Sequence, residues 1–565
     1  MLYTVIKVNS YQDSVSLMML SNKLSDMDGV NRISIMMGTP ANKDIFENIG
    51  LMTPEVKKAN PSDICIVVDT DDDSLVKDVV DKVDSFLTNQ ASKSQSASFT
   101  SVRSWDSALS NLPNANMALI SLPGQYAAGE AKKALEKGLH VFMFSDNVTV
   151  EEELALKQTA AKKGLLVMGP DCGTGVIGDI PVAFANVIHS GNIGIVGASG
   201  TGIQEVTSII HRLGGGISHA IGTGGRDLSE RIGAITAIEA LKGLAADPKT
   251  DVIVLISKPP AKAVRDKVVS VLKRLPKPVV AIFMGEKPGA DHDNIRYTWT
   301  LEDTAILAVD LAKNTQLPEQ AALPEQVAAV TAEVKAQGSK LVKGLYSGGT
   351  LAAEAAMIMK DAFGGTDESD HAEGIMLRLD GHEIIDLGDD VYTRGKPHPM
   401  IDPRTRIDML VAAAAQPETA IILFDVVLGY GSNEDMAGAM VQGIEKARVH
   451  SNNKTVIYIA SVCGTDKDPQ VYQQQVDKLV NAGVLVEESN AKAVRLAVAI
   501  AQQLDARRPA AQVTDLLASK PRVINMGLRS FAETCHQYGG QVVQFDWAPV
   551  AGGNAKLAGL LSKLK

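Results

Sequence analysis

Residues 193–208 place a glycine-rich turn between an apolar strand and an amphipathic helix, an arrangement that can bind an anion. Glycines and hydroxyls alternate in this turn, which holds Gly197, Ser199, Gly200, Thr201 and Gly202. A helix start exposes unpaired N–H groups at the positive end of the helix dipole, and glycine lets an anion approach them closely. The spacing differs from a dinucleotide fingerprint and from a Walker loop. The turn predicts a phosphate or carboxylate site, and a plain glycine turn with a serine cap remains the alternative.

A second turn of the same kind lies in residues 341–357, again between a strand and a helix. Its polar and flexible residues are Ser347, Gly348, Gly349 and Thr350. A third glycine turn, with the candidate anion-binding residues Gly224 and Gly225, follows another predicted strand. Ligands of parallel sheets bind beyond the carboxyl ends of strands. We therefore expect two similar halves that face one small anionic substrate.

The loop Arg394–Pro399 supplies candidate catalytic groups. Arg394 can hold a carboxylate or phosphate with two hydrogen bonds, and Lys396 can act as a point charge. His398 can donate to a carbonyl oxygen or transfer a proton. A rigid, proline-framed surface loop explains the same residues, so both interpretations stand. Lys258, at a strand end before two prolines, is a similar candidate, although a structural role is favoured for it. Cys172 is interpreted as a buried thiol rather than a nucleophile. The histidines and cysteines lack metal-ligand spacing, so no metal site is expected.

The composition predicts an α/β protein of several doubly wound, Rossmann-like domains with parallel sheets. Of the 565 residues, 45% are hydrophobic and only 4% aromatic, and short apolar runs alternate with helical patterns. We expect a small N-terminal α/β domain, three larger α/β domains and a C-terminal strand–helix–strand extension, with boundaries at 1–100, 101–190, 191–335, 336–510 and 511–565. Segments 90–102 and 315–338 are predicted to be linkers.

Charge and cysteine content exclude several classes of partner. The net charge is −11 and no basic tract is present, so nucleic acid is not an expected partner. No apolar run is long enough to cross a membrane, and polar residues interrupt any signal peptide. The four cysteines form no CxxC pair, which favours a reducing cytoplasm.

Several motifs carry a resemblance to succinyl-CoA synthetase. Residues 117–313 resemble its α subunit, through Ser199–Thr201, Gly222–Asp227 and the strand-end turn at 167–172. Residues 340–503 resemble the carboxy-terminal domain of its β subunit, through 385–388 and 423–429. The resemblance implies that 101–190 is CoA-binding-like, 191–335 ligase-like and 336–510 like that β domain. The whole chain, including 12–18 and 395–403, is most similar to the FdrA family.

The FdrA resemblance implies one subunit of an oxamate carbamoyltransferase in anaerobic allantoin breakdown. Carbamoyl phosphate and oxamate would be its anionic substrates, and other subunits would complete a hetero-oligomer. No cofactor is assigned, apart from CoA under the alternative below. Two alternatives stay open: an acyl-CoA ligase or transferase that uses CoA, and a non-catalytic scaffold that binds a phosphometabolite. The ligase alternative lacks an ATP-grasp domain. His292 also lies among aspartates, where the synthetases have a phosphorylated histidine in a Gly-His-Ala-Gly loop.

Overall fold

The structure is a computed structural model that describes residues 1–96, 100–315, 327, 331, 340–450, 455–505 and 520–548. The chain divides into two compact units, Met1–Ala501 and Gln502–Lys565. Within the ranges just given, the first unit contains four sheets and the second contains one. Among the described residues, no helix combines the length and the apolar character needed to cross a membrane.

The N-terminal domain is a small antiparallel sheet with helices around it. Its elements are β1 (Leu2–Lys7), α1 (Ser14–Ser25), β2 (Val30–Met37), α2 (Pro40–Asn48), α3 (Pro54–Lys58), β3 (Ile64–Thr70) and α4 (Ser74–Ser96). The strand order is β1-β3-β2, and both pairings are antiparallel. The predicted linker at 90–102 is wrong in its first part, because α4 continues to Ser96. Alanine, lysine and glutamine in that stretch are good helix formers.

A three-stranded parallel sheet follows. It contains α5 (Trp105–Asn111), β4 (Met117–Ile120), α6 (Gly124–Glu136), β5 (His140–Met143), α7 (Val150–Lys163) and β6 (Val167–Met168). Helix α7 begins with a capping box between Thr149 and Glu152 and ends at Gly164, which is left-handed. These signals account for its bounds, since each satisfies backbone groups that a helix end leaves unpaired.

A seven-stranded sheet follows in the chain. Its elements are β7 (Thr174–Ile177), β8 (Ile180–Ala183), β9 (Ser190–Gly197), α8 (Gly200–Arg212), β10 (Ile217–Gly222), α9 (Ile235–Ala246), β11 (Val252–Ser257), α10 (Lys262–Leu272), β12 (Val279–Phe283), β13 (Ile295–Tyr297) and α11 (Leu301–Lys313). The order is β13-β12-β11-β9-β10-β7-β8. The hairpin β7–β8 falls in the predicted segment 101–190. It instead extends this sheet, because β7 pairs antiparallel with β10.

A six-stranded sheet forms the next domain. Its elements are β14 (Leu341–Tyr346), α12 (Gly349–Phe363), β15 (Ile375–Leu379), β16 (His382–Asp386), α13 (Asp390–Thr393), α14 (Arg404–Ala415), β17 (Thr419–Val427), α15 (Met436–His450), β18 (Ile457–Cys463), α16 (Tyr472–Asn481), β19 (Leu485–Glu487) and α17 (Asn490–Asp505). The order is β15-β16-β14-β17-β18-β19, with only β15 antiparallel. Almost all of the predicted linker at 315–338 lies outside the described residues.

The second unit contains a parallel strand pair joined by one helix: β20 (Arg522–Met526), α18 (Arg529–Gln537) and β21 (Gln541–Phe545). Ile524, Met526, Val543 and Phe545 alternate along the strands and are exposed. This matches the strand–helix–strand pattern of the sequence, and the predicted α/β class is confirmed for the chain.

The two large sheets position the predicted turns in the same way. Strand β9 is flanked by two parallel neighbours, β10 and β11, and leads directly into α8. Strand β14 is flanked by parallel β16 and β17 and leads into α12. The last five residues of β9 and all residues of β14 except Lys343 are buried, as expected for parallel strands covered on both faces. Each turn therefore sits on a buried strand end, which gives it a rigid support.

Candidate functional site

The two predicted turns meet each other directly. Ser199 is the N-cap of α8, and its hydroxyl accepts from the Gly202 N–H. The same hydroxyl shares a short hydrogen bond with the hydroxyl of Thr350, in the first turn of α12. A Cβ added at Gly348 would lie 2.9 Å from Thr201 Cγ2, so this glycine permits the close approach. The structure thus brings two helix N-termini from separate sheets to one place.

Several donors at this meeting point have no partner. Among the described residues, the N–H groups of Gly200, Thr201, Gly349 and Thr350 have no protein acceptor, as is usual in the first turn of a helix. Each helix end also carries about half a positive charge. The hydroxyl of Thr174 is buried without a partner, 2.8 Å from where a Cβ of Gly200 would lie. This combination can hold an anion.

Several hydrogen-bond donors of the second turn are bonded to a carboxylate of the protein. The N–H groups of Ser347 and Gly348 donate to the two oxygens of Asp425 at 2.8 and 2.9 Å, and the Ser347 hydroxyl donates to Oδ2 at 3.0 Å. Arg406 donates to Asp425 Oδ1 at 2.8 Å, and both side chains are fully buried. A protein carboxylate therefore occupies the donors that the sequence assigned to a substrate at Ser347 and Gly348. The donors left for a ligand are further along, at Gly349 and Thr350.

Asp386 is a titratable group that sequence reasoning did not select. It ends β16, and its Oδ1 accepts from the Gly388 N–H at 2.9 Å. A Cβ at Gly349 would lie 2.5 Å from Asp386 Oδ2, so the carboxyl group touches the first residue of α12. Burial raises the pKa of Asp386 to about 7, although the Gly388 N–H and Lys258 favour the charged form. This carboxyl can gain or lose a proton near neutral pH.

Lys258 connects the third glycine turn to this carboxyl group. Its side chain, at the end of β11, is exposed, and its charge acts to lower the pKa of both Asp386 and Asp171. A Cβ at Gly225 would lie 3.7 Å from Lys258 Nζ and 3.4 Å from Asp171 Oδ2. We call the space around Ser199, Thr350, Asp386 and Lys258 the cleft. The predicted turn at Gly224 and Gly225 borders it through Lys258, a cation for which the sequence favoured a structural role.

A buried ion network fixes that third turn. Lys157 Nζ lies 2.9 Å from Glu153 Oε1 and 2.7 Å from Asp227 Oδ1, with no part of the three side chains exposed. The same ammonium donates to the Thr223 carbonyl at 2.9 Å. Arg226 reaches back to Glu153 at 2.9 Å. Since α7 supplies Lys157 and Glu153, the three-stranded domain holds the turn that carries Gly224 and Gly225.

Of the three predicted catalytic residues, the structure brings His398 to the cleft. Its Nδ1 accepts from the Met400 N–H at 3.2 Å, so the proton of the neutral ring is on Nε2. That nitrogen lies 2.8 Å from where a Cβ of Gly388 would be. Burial lowers the pKa of His398 to about 4, which keeps the ring neutral at physiological pH. His398 is thus a hydrogen-bond donor beside Asp386.

Arg394 and Lys396 lie on the exposed part of the same loop. Within the described ranges, no hydrogen bond or ion pair joins either side chain to the two helix starts. The loop instead packs on the N-terminal domain, where a Cβ at Gly395 would lie 2.9 Å from Ile45 Cγ2. Their catalytic roles remain predictions.

His292 and Cys172 have ordinary structural surroundings. His292 is exposed, and its Nδ1 accepts from the Asp293 N–H at 3.1 Å. Cys172 is 2% exposed, and burial raises the pKa of its thiol to about 12, so it is not a thiolate nucleophile at neutral pH. The structural role predicted for Cys172 agrees with its position.

Three family models match separate parts of the chain. One described as "CoA-ligase" matches residues 345–500, and one described as "CoA binding domain" matches residues 189–285. A third, described as "AllF, heavy metal-associated domain", matches residues 1–102. Residues 1–102 do not fit a thiolate metal site. Cys65 is the single cysteine of that range, it is fully buried, and burial raises its pKa to about 11.

Whole-protein comparisons give a close relative and a partial one. "Uncharacterized protein YahF" of Escherichia coli K12 is 41% identical over 501 residues, which cover 86% of this chain and 96% of YahF. The succinate–CoA ligase [ADP-forming] subunit alpha 2 of Archaeoglobus fulgidus is 28% identical over 181 residues, which cover 30% of this chain and 60% of that subunit. Among solved structures, ATP citrate lyase of Methanothrix soehngenii in complex with citrate and coenzyme A matches at 13% identity. That match covers 71% of this chain and 84% of the lyase, with a TM-score of 0.33, too low for any functional argument.

Proposed function

This chain belongs to the FdrA family, and from that membership we propose that it is a subunit of a carbamoyltransferase of the oxamate type. The reaction interconverts carbamoyl phosphate and oxamate with oxalurate and phosphate, as a step of anaerobic allantoin breakdown. The observation that carries the proposal is the meeting of two helix N-termini at Ser199 and Thr350, with free N–H donors on both. Such a place suits a phosphate leaving group, since it supplies donors and positive potential without a nucleotide.

The chemistry needs few groups because carbamoyl phosphate is already activated. The amide nitrogen of oxamate attacks the carbamoyl carbon, the bond from that carbon to the phosphate oxygen breaks, and the nitrogen loses a proton. The helix starts and Lys258 bind the departing phosphate. Asp386 accepts the proton in its charged form, and His398 Nε2–H donates to the carbamoyl oxygen. Positioning and charge stabilisation supply the rest of the rate.

The surroundings of His292 favour this proposal over a phosphohistidine mechanism. The loop is exposed, its histidine is paired with the neighbouring backbone, and aspartates on both sides would repel a phosphoryl group. These surroundings disfavour an acyl-CoA ligase that would use His292 as its phosphate carrier. The CoA-ligase and CoA-binding matches nevertheless make a CoA-dependent ligase or transferase the second candidate.

The test is phosphate release from carbamoyl phosphate with oxamate, measured for the chain alone and with its co-purified proteins. Lys258→Met should reduce the rate, whereas Lys262→Met, an exposed lysine at the start of α10, should leave it unchanged. Oxamate-independent release, or equal losses in both variants, would contradict the proposal. Turnover of an acyl-CoA would instead support the CoA-dependent candidate. Saturable carbamoyl phosphate binding without turnover in any complex would indicate a non-catalytic scaffold subunit.

A further inference from the structure

A cavity of about 410 Å³ lies between the three-stranded domain and the seven-stranded sheet, separate from the cleft described above. None of its lining residues belongs to that cleft. Its walls are mostly apolar side chains, among them Met117, Leu166, Met168, Val182, Ile221 and Leu244. This size is in the usual range of small-molecule pockets, which often form between domains. The cavity can therefore admit a compact organic ligand.

Two histidines give this apolar cavity fixed hydrogen-bond donors. His140 Nδ1 accepts from the Leu166 N–H at 3.0 Å, and His219 Nδ1 accepts from the Gly178 N–H at 2.9 Å. This contact leaves Nε2 of each ring as the nitrogen that carries the proton. Among the described residues, neither Nε2–H has a hydrogen-bond acceptor. Both rings line the cavity, so both donors are available to a ligand.

Asp247 supplies hydrogen-bond acceptors and a negative charge at the same cavity. Its Oδ2 lies 3.7 Å from His219 Nε2, too far for a hydrogen bond. Its oxygens accept from Thr250 Oγ1 and the Lys249 N–H, and each retains a lone pair. A carboxylate at this place repels an anionic ligand and accepts from an N–H group. A ligand that matches the cavity thus carries an acceptor and a donor and has no negative charge.

We propose that this cavity binds an uncharged, planar nitrogen heterocycle that carries a carbonyl or ring nitrogen acceptor beside an N–H donor, the chemical class of the nucleobases. The histidine Nε2–H groups donate to the acceptor, and Asp247 accepts from the N–H. Met117 and Met168 place polarisable sulfur atoms against the ring, a favourable contact for aromatic systems. The apolar walls cover the faces of the ring, where no hydrogen bond is needed.

Calorimetric titration with adenine and with uracil tests the proposal, with benzoate as a flat anionic counterpart of similar size. Gly243 offers a way to fill the cavity, because it lines the cavity on α9 and a Cβ added there would meet nothing within 4 Å. Gly243→Leu should therefore keep the fold and exclude the ligand. Gly129→Leu is the matched control, since Gly129 lies in α6, is exposed and also has open space at its Cβ position.

We expect saturable binding of at least one base, at one site per chain, and no binding of benzoate. Gly243→Leu should weaken that binding by about tenfold or more, a loss of ~1.4 kcal/mol, while Gly129→Leu binds as the parent chain does. His219→Phe keeps a ring and removes the hydrogen-bond donor, so it should also weaken base binding. If Gly243→Leu does not fold, the result with His219→Phe tests the proposal in its place. Failure of both bases to bind, binding that survives these changes, or preference for benzoate would overturn the proposal.

Discussion

The hydroxyl groups of Ser199 and Thr350, which are 151 residues apart in the chain, are hydrogen-bonded to each other. Each residue belongs to the first turn or cap of a helix, and the two helices follow buried strands of different sheets. The bond therefore fixes two positive helix ends relative to each other. A substrate phosphate at this point interacts with both ends at once, and neither end can be displaced without affecting the other.

Loss of this hydroxyl pair should impair one shared function. Ser199→Ala and Thr350→Val should each lower phosphate release from carbamoyl phosphate by about tenfold to a hundredfold. Each change removes a hydroxyl that positions hydrogen-bond donors toward the negative charge of the transition state. The double variant should lose little more than either single one, since groups that act on one transition state fail as a unit. Steady-state kinetics with a double-mutant cycle measures this coupling.

Thr350→Ser is the control for that cycle, because it keeps the hydroxyl and removes only the methyl group. It should retain most of the activity of the parent chain. Cleanly additive losses in the double variant would contradict a single shared site, as would a Thr350→Ser loss equal to that of Thr350→Val.

Both turns could be predicted from the sequence because the residues that indicate each turn are close together in the chain. A strand, a turn of glycine and hydroxyl residues and a helical pattern occur within about twenty residues, and repetition of this order suggested that the two turns face one substrate. The contact of Asp425 with Ser347 could not be read in this way, since 78 residues separate them. Asp386 was also missed, because its pKa depends on burial by α12 and on a lysine from another domain.

Two errors in the fold have similar causes. The hairpin β7–β8 follows the three-stranded domain in the chain, yet its partner is β10, which comes later and lies in another sheet. Only pairing decides to which domain such a hairpin belongs. The polar stretch after residue 90 looked like a linker by composition, although its residues individually favour a helix and continue α4. Composition alone did not separate a solvated helix from an extended linker.

Removal of the buried positive charge of Lys157 should destabilise the fold. Lys157→Met leaves Asp227 buried without its cation, and Glu153 keeps only the partly exposed Arg226 as a partner. Removing one partner of a buried ion pair costs about 3–5 kcal/mol. Urea unfolding measures the change in the free energy of unfolding. Lys162→Met, an exposed lysine on the same helix, is the control and should change it by less than about 0.5 kcal/mol. Equal effects would contradict the role of the network.

His292 should not carry a phosphoryl group. Incubation with radiolabelled ATP, or with succinyl-CoA and labelled phosphate, should leave no acid-labile label on the chain, because His292 lies on an exposed loop and two aspartates flank the ring. His292→Asn should accordingly leave phosphate release from carbamoyl phosphate unchanged. A stoichiometric label that disappears in His292→Asn would restore the CoA-ligase candidate.

Asp386 should give the reaction a pH dependence near neutrality. Burial raises its pKa to about 7, so the charged form that accepts the oxamate proton becomes populated as the pH rises through that value. The rate of carbamoyl transfer to oxamate should therefore rise with pH across this range. Asp386→Asn should be much slower and should lose this rising limb, whereas Asp386→Glu should keep one. An unchanged pH profile in Asp386→Asn would exclude this carboxyl as the base.

The same carboxyl should also make folding stability depend on pH, with a sign fixed by its raised pKa. The reference pKa is 3.8 and burial raises it to about 7, so between these values the folded chain holds a proton that the unfolded chain has lost. The contribution of Asp386 to stability is therefore fully present below about pH 4 and disappears as the pH rises through about 7. Asp386→Asn has no such titration. Urea unfolding at several pH values should show the parent chain losing stability relative to Asp386→Asn as the pH rises across this window. A difference between the two proteins that stays constant, or that grows in favour of the parent chain, would mean that Asp386 is already charged when the protein folds.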